Sequence, residues 1–306
     1  MKKLFCLLLS IFLFSCNSKE KNLAKNNTDN SMPEEIRTDL YGSWVGDFIA
    51  AERDTTREAK ENYSNKINIV IKKITADEVT GQSIVAGNSR PLKGFMRRTG
   101  NTFYFTLKEP GDDKNDGVFT FEIQKDTLLV GTWTANNGKK EVTKRKFTLY
   151  KQEFKYNPNA MLPEGDPYVD FENSKEELVT NVEDQEDTEE GEDSTNTKKA
   201  EPYMETVYRI ASEKISTINS STQKLKESDV KNLKKIDLEI LRNTIFARHG
   251  LTFKTKTVRQ FFDDVEWYVP IATNVDDQLT TVEKENIVLL KRFEKYAEDN
   301  YDSFGR

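Results

Sequence analysis

At 306 residues the chain is long enough for two ordinary domains, and with 32% of residues charged and a mean hydropathy of −0.74 their cores must be compact. The net charge of −6 is concentrated between Glu172 and Asp193, where eleven carboxylates face Lys175 alone, and no basic footprint remains for nucleic acid. Both cysteines, Cys6 and Cys16, fall in the first 16 residues, which excludes a disulfide or a thiolate metal site from the body of the protein.

The first element is "MKKLFCLLLSIFLFSC": Lys2 and Lys3, an apolar run from Leu4 to Phe14, then Ser15 and Cys16. The run is too short to span a bilayer, so residues 1–15 read as a signal peptide. Leu13-Phe14-Ser15-Cys16 resembles the lipobox of bacterial lipoproteins, although Phe14 is bulkier than usual at its position. The resemblance implies that Cys16 is the lipid-attachment residue and the first residue of the mature chain. The expected partner is then a bacterial membrane, held through acyl chains that contribute about 0.8 kcal/mol per buried CH₂. The implied location is the outer membrane, with periplasmic face and cell surface both open. A plain secretory signal cleaved near Ser15 is the alternative. Residues 16–37 are polar and aperiodic, a flexible tether.

From 38 to 152 apolar residues recur at every second position, as in Ile67-Ile69-Ile71, Phe103-Phe105-Leu107 and Phe119-Phe121-Ile123. About eight strands are predicted, near 43–50, 65–74, 78–85, 91–98, 102–108, 117–124, 127–134 and 143–151. An antiparallel meander of this size removes its exposed edges by closing into a β-barrel. The start "LYGSWVGDF" resembles the Gly-x-Trp opening of lipocalin-like barrels through Gly42 and Trp44, which implies that the Trp plugs the barrel floor. Such a barrel holds one small apolar ligand or is filled by its own side chains, and the Phe- and Ile-rich inward set favours filling. "GDDKNDG" (111–117) places Lys114 on a calcium-ligand position and has no closing Glu, so it reads as a polar hairpin loop, and no metal site is expected.

Residues 153–202 contain Pro158, Pro163 and Pro167 followed by the carboxylate run, and are expected to form an acidic disordered linker. From 203 to 300 the period turns helical. Met204, Val207, Tyr208, Ala211, Ile215 and Ile218 fit a first helix; Ser228 caps a short turn; Asp237 starts a helix through Leu238, Leu241 and Ile245; Thr255 caps another through Phe262; and Thr280-x-x-Glu283 is a capping box for the last. "LRNTIFARHG", with "VRQFF", "WYVP" and "VEKENIVLLKRFE", resembles the YARHG domain of bacterial envelope proteins, a family that carries over no activity. Its motif residues here are Arg242, Phe246, Arg248, His249, Gly250, Trp267, Tyr268 and Pro270. Phe246 stands where the family name has Tyr, and Thr244 where Glu is common. The fold expected is therefore α+β as separate domains, a barrel followed by a small all-α domain.

Arg248 extends the apolar stripe and needs buried partners, with Asp263, Asp264 and Glu266 nearest by chain logic. Gly250 suits a left-handed helix end, and His249 the last unpaired carbonyls. The motif therefore reads as structural before it reads as a binding site. His249 is the only histidine, no Ser stands in a nucleophile elbow, and no cofactor is expected. The reading is a lipid-anchored, non-catalytic envelope protein that binds a protein or cell-wall glycan through aromatics such as Trp267 and Tyr268. Alternatives are a carrier of a small apolar ligand in the barrel, and an envelope hydrolase using His249.

Overall fold

A computed structural model describes residues 33–165, 167–180 and 202–301. The signal peptide, Cys16, most of the tether and the most acidic part of the connector lie outside them.

The eight alternating segments form strands β1 (Gly42–Arg53), β2 (Lys66–Ile74), β3 (Val79–Val85), β4 (Asn88–Thr99), β5 (Thr102–Lys108), β6 (Gly117–Gln124), β7 (Leu128–Ala135) and β8 (Val142–Lys151). Each pairs antiparallel with its neighbour, and β8 returns to β1 with Phe147 opposite Phe48, which closes the barrel. The inward set predicted by alternation is the core: Ile67, Ile69, Ile71, Phe105, Phe119, Phe121, Phe147 and Leu149 are all at most 2% exposed. Phe48, Phe119, Phe121 and Phe147 pack with ring centroids 5.9–6.4 Å apart, so the interior is largely filled by the chain itself. Burying each such ring contributes about 1.5–3 kcal/mol. Trp44 is fully buried and donates its indole N–H to the carbonyl of Leu40 at 3.1 Å, at the end of the 3₁₀ turn Thr38–Leu40.

Two expectations downstream are corrected. Residues 203–210 are not helical: β10 (Tyr203–Ile210) pairs antiparallel with β9 (Val169–Val179), a strand inside the segment expected to be disordered. Helical spacing of the apolar residues was fortuitous; what holds this segment extended is cross-strand pairing and the buried bridge from Arg209 to Asp170, at 2.6 Å. Residues 153–165 are not a spacer either. Leu162 is 3% exposed within the helical core, and Tyr156, Ala160 and Met161 bond to that region. Lacking a helix or strand period, this strap follows the surface it covers.

The helices are α1 (Lys214–Thr217), α2 (Glu227–Val230), α3 (Lys235–Arg248), α4 (Lys256–Phe262) and α5 (Thr281–Asn300). Asp237 sits at N3 of α3 rather than at its cap, accepting the backbone N–H of Lys234 at 3.1 Å and that of Ser212 at 2.7 Å. Ser228 lies inside α2, whose N-cap is Lys226. Thr255 is the N-cap of α4, but its side chain makes no capping bond. The capping box of α5 forms as its sequence dictates: Glu283 N–H donates to Thr280 Oγ1 at 3.2 Å, and Thr280 N–H to Glu283 Oε2 at 2.9 Å.

The barrel packs directly on the helical region. Asn68 of β2 donates to the carbonyl of Pro270 at 2.9 Å, and Gln152 to that of Glu266 at 3.1 Å. The turn between β3 and β4 donates from Gly87 N–H to Thr252 Oγ1 at 3.0 Å. Gly87 has φ +77°, and a Cβ there would fall 2.7 Å from the Cα of Lys254, so only glycine permits this approach.

Candidate functional site

The C-terminal end of α3 is built by its own sequence. His249 is the C-cap and Gly250, with φ +75°, the left-handed residue after it. Gly250 N–H bonds the carbonyl of Ala247 at 2.9 Å and Leu251 N–H that of Phe246 at 3.1 Å, the paired bonds of a Schellman end. Phe246 is part-buried against the core with Leu251, so the apolar contact that accompanies this motif uses a ring without a hydroxyl. Thr244 donates to the carbonyl of Ile240 at 2.8 Å.

Arg248 is 2% exposed, as its place on the apolar stripe requires. Its partners differ from those predicted. Nε donates to the carbonyl of Ala160 at 2.8 Å, Nη1 to Ser221 Oγ at 2.9 Å, and Nη2 faces Met161 Sδ at 3.5 Å. Lys66 of the barrel, which donates to the carbonyl of Val265, is instead a cation that feels the charge of Asp263, Asp264 and Glu266. The returning strap supplies neutral acceptors, so burial dominates and lowers the Arg248 pKa to about 10 against the opposing pull of Glu283 and Tyr156.

His249 is 3% exposed and its side chain meets a carboxylate rather than helix-end carbonyls. Nε2 lies 2.9 Å from Glu283 Oε2, and the ring stacks on Tyr156 at 4.3 Å and 19°. Glu283, fully buried, also accepts from Tyr156 Oη at 3.1 Å, from Ser221 and from the backbone of Thr280. Burial alone would raise its pKa; the hydrogen bonds from His249, Thr280 and Ser221 prevail and hold it at about 2. Burial and the adjacent carboxylate push the Tyr156 phenol up to about 12. Ser, His and Glu therefore meet here, but the bonds from Ser221 and His249 both end on the carboxylate. A nucleophile needs its hydroxyl on the imidazole and the carboxylate behind it. This set instead joins the end of α3, the start of α5 and the strap.

The remaining motif residues also point inward. Arg242 clamps Glu294 of α5 through two bonds of 2.6 and 3.0 Å. Trp267 donates to the carbonyl of Met161 at 2.8 Å; Tyr268 is 1% exposed and donates to that of Leu251 at 2.7 Å; Pro270 is buried under Asn68. Tyr268 is thus no contact surface, because its hydroxyl holds the chain that follows Gly250. Exposed apolar side chains lie instead on the two-stranded sheet, where Phe171 is 70%, Leu178 59%, Met204 56% and Tyr203 51% exposed.

In the barrel, the 111–117 loop is tied by Asp116, which takes Arg90 Nε at 2.9 Å and Gly111 N–H at 2.8 Å. One end of the barrel carries a cleft of about 360 Å³. Phe48, Phe119 and Trp133 form its floor, loop residues of the barrel its sides, and Lys256 and Arg259 of α4 its outer wall.

Tyr156, Ser221 and Glu283 were not read from sequence as partners of the motif. Glu283 carried a local signal, its capping box, but nothing local linked it to a histidine 34 positions earlier. Among known proteins, residues 213–295 match the YARHG domain family model. No curated protein and no solved structure matches the chain. The segment from α1 to most of α5 is a YARHG domain, with the barrel and the two-stranded sheet outside the match.

Proposed function

We propose that this is a lipid-anchored bacterial cell-envelope protein that works by binding rather than by catalysis, with its YARHG domain as the scaffold that carries the contact surface beside it. Lipid attachment at Cys16 and residence at the outer membrane rest on the lipobox-like sequence alone. The observation that carries the binding reading is that Arg248, His249 and Glu283 are at most 3% exposed and satisfy one another or the strap. A reacting group needs access and a poised proton acceptor, and this constellation offers neither. The partner is an envelope protein or a cell-wall glycan, met by the exposed apolar face of the two-stranded sheet beside the domain.

The test compares the native chain with the triple variant Phe171→Ser, Leu178→Ser, Met204→Ser, in which Met204 and Leu178 are cross-strand partners on one face, for retention on peptidoglycan sacculi and on detergent-solubilised envelope. Retention by the native chain and loss in the variant is the expected result. Retention by neither, or sacculus hydrolysis that disappears in His249→Ala, overturns the reading. Cys16→Ser should move the protein from the membrane to the soluble fraction. A carrier role for the barrel is the second reading, favoured by the cleft at its end.

A further inference from the structure

The outer wall of the barrel is unevenly charged. From Val79 to Lys108, which covers β3, β4 and β5, the chain has five cations, Arg90, Lys93, Arg97, Arg98 and Lys108, and no carboxylate. Strand register sorts them. Leu92, Phe105 and Leu107 are buried in the barrel, so the alternate residues Lys93, Phe95 and Arg97 of β4 and Tyr104 and Lys108 of β5 face outward. Lys93 stands directly opposite Lys108, and Arg97 opposite Tyr104. Phe95 and Tyr104 are each 43% exposed, and the Arg97 guanidinium lies 5.9 Å from the Phe95 ring.

The fold does not require this pattern. Two lysines directly opposite each other weaken the strand pair that carries them. Lysines often protect an open strand edge, but β4 and β5 are paired on both sides in a closed barrel. Asp112 and Asp116 take Arg90, and Glu78 takes Lys93. Glu122 of β6, opposite Tyr104, is bonded by Gln124. Arg97, Arg98 and Lys108 have no carboxylate at ion-pair distance among the described residues. Two exposed rings on adjacent strands, set among unpaired cations, suit an anionic lipid interface: rings enter the headgroup layer while cations meet its charge.

The N-terminal segment joins the barrel beside the same strands. The Arg37 guanidinium lies 4.0 Å over the ring of Phe103, next to Tyr104 in β5, and that of Arg98 lies 5.6 Å from the same ring. Arg37 is 21 positions from Cys16, a reach of at most about 75 Å. The acidic run from Glu172 to Asp193 has the opposite charge, so an anionic surface attracts the β4–β5 wall and repels that segment.

We infer that the outer face of β4 and β5 is a peripheral contact with an anionic lipid bilayer. Phe95 and Tyr104 seat in the headgroup layer, and Arg97, Arg98 and Lys108 take its anionic groups. This rests on the lipid-anchored reading, which places the protein at a membrane. It adds a contact that the acyl chains do not make, and it sets which side of the barrel faces the bilayer.

The test uses the polypeptide from Asn17 onward, which keeps every described residue and has neither the apolar run 4–14 nor an acylated cysteine. It is sedimented with vesicles of phosphatidylcholine alone, or of phosphatidylcholine and phosphatidylglycerol in equal parts. The native chain should bind the phosphatidylglycerol vesicles at least tenfold more tightly, and added salt should weaken that binding. Arg97→Gln, Lys108→Gln should weaken it at least tenfold, and so should Phe95→Ser, Tyr104→Ser. Lys139→Gln, Lys146→Gln removes the same charge elsewhere on the barrel and should leave binding within twofold. All six positions are exposed, so thermal melts should not move. If the native chain binds both vesicles alike or neither, or if the Lys139 and Lys146 variant weakens binding as much as the wall variant, the inference fails. If the wall variants lose retention on peptidoglycan sacculi with vesicle binding unchanged, the occupant is a glycan and the inference fails too. None of these results bears on the anchor, which fractionation of Cys16→Ser tests separately.

Discussion

Replacing Glu283 with glutamine removes one buried charge from the junction of α3, α5 and the strap and keeps the side-chain shape. The native carboxyl titrates at about 2 in the folded protein against an ordinary 4.5. Because the folded-state value is the lower one, the stabilisation is fully present above about pH 4.5 and is lost as pH falls through the folded-state value. A depression of that size corresponds to about 3 kcal/mol of stability at neutral pH. Urea unfolding followed by circular dichroism at 222 nm, from pH 7 to 2.5, gives the stability of both chains. Many carboxylates titrate in this range, but the difference between the two curves isolates Glu283. The difference should be about 3 kcal/mol at pH 7 and shrink steadily below pH 4.5. A gap under about 1 kcal/mol at pH 7, or one that does not change with pH, would refute the assignment of Glu283 as the charged centre of the junction.

Gly250→Ala tests the helix end. The backbone there has φ +75°, and an added Cβ would fall 2.5 Å from Ile271 Cγ1 and 2.9 Å from Val269 O, so the loss should exceed the ~1 kcal/mol typical of a left-handed glycine. An unchanged melting temperature would contradict the Schellman geometry. Asp263→Asn tests the junction with the barrel. Burial raises the Asp263 carboxyl to about 7, against the opposing pull of Lys66 and Arg259. With the folded-state value above the ordinary 3.8, the native chain should lose stability as pH rises from about 4 through 7. The variant should lack that loss and gain on the native chain between pH 5 and pH 8 in thermal melts; parallel curves would count against it.

Much of the barrel was legible because its information is local. Each strand carries its own alternation, and a residue such as Phe121 faces inward whatever its neighbours do. The capping box at Thr280 and the glycine stop at Gly250 were legible for the same reason. The strap and the strand at Tyr203–Ile210 were not, because what fixes them is remote: Arg209 is placed by Asp170, and Tyr156 by the His249 ring. Arg248 shows the boundary within one side chain. Its burial followed from helical spacing, but its partners Ala160 and Ser221 come from segments whose return no periodicity announces.

On the binding reading, the histidine and glutamate of the junction hold the fold together instead of reacting. A double-mutant cycle on His249→Phe, which keeps a ring against Tyr156, and Glu283→Gln measures this most directly. Equilibrium unfolding at pH 7 should give a coupling of about 1.5–3 kcal/mol, as for a buried hydrogen bond to a charged group. Additive effects within about 0.5 kcal/mol, with each single variant near native stability, would contradict it.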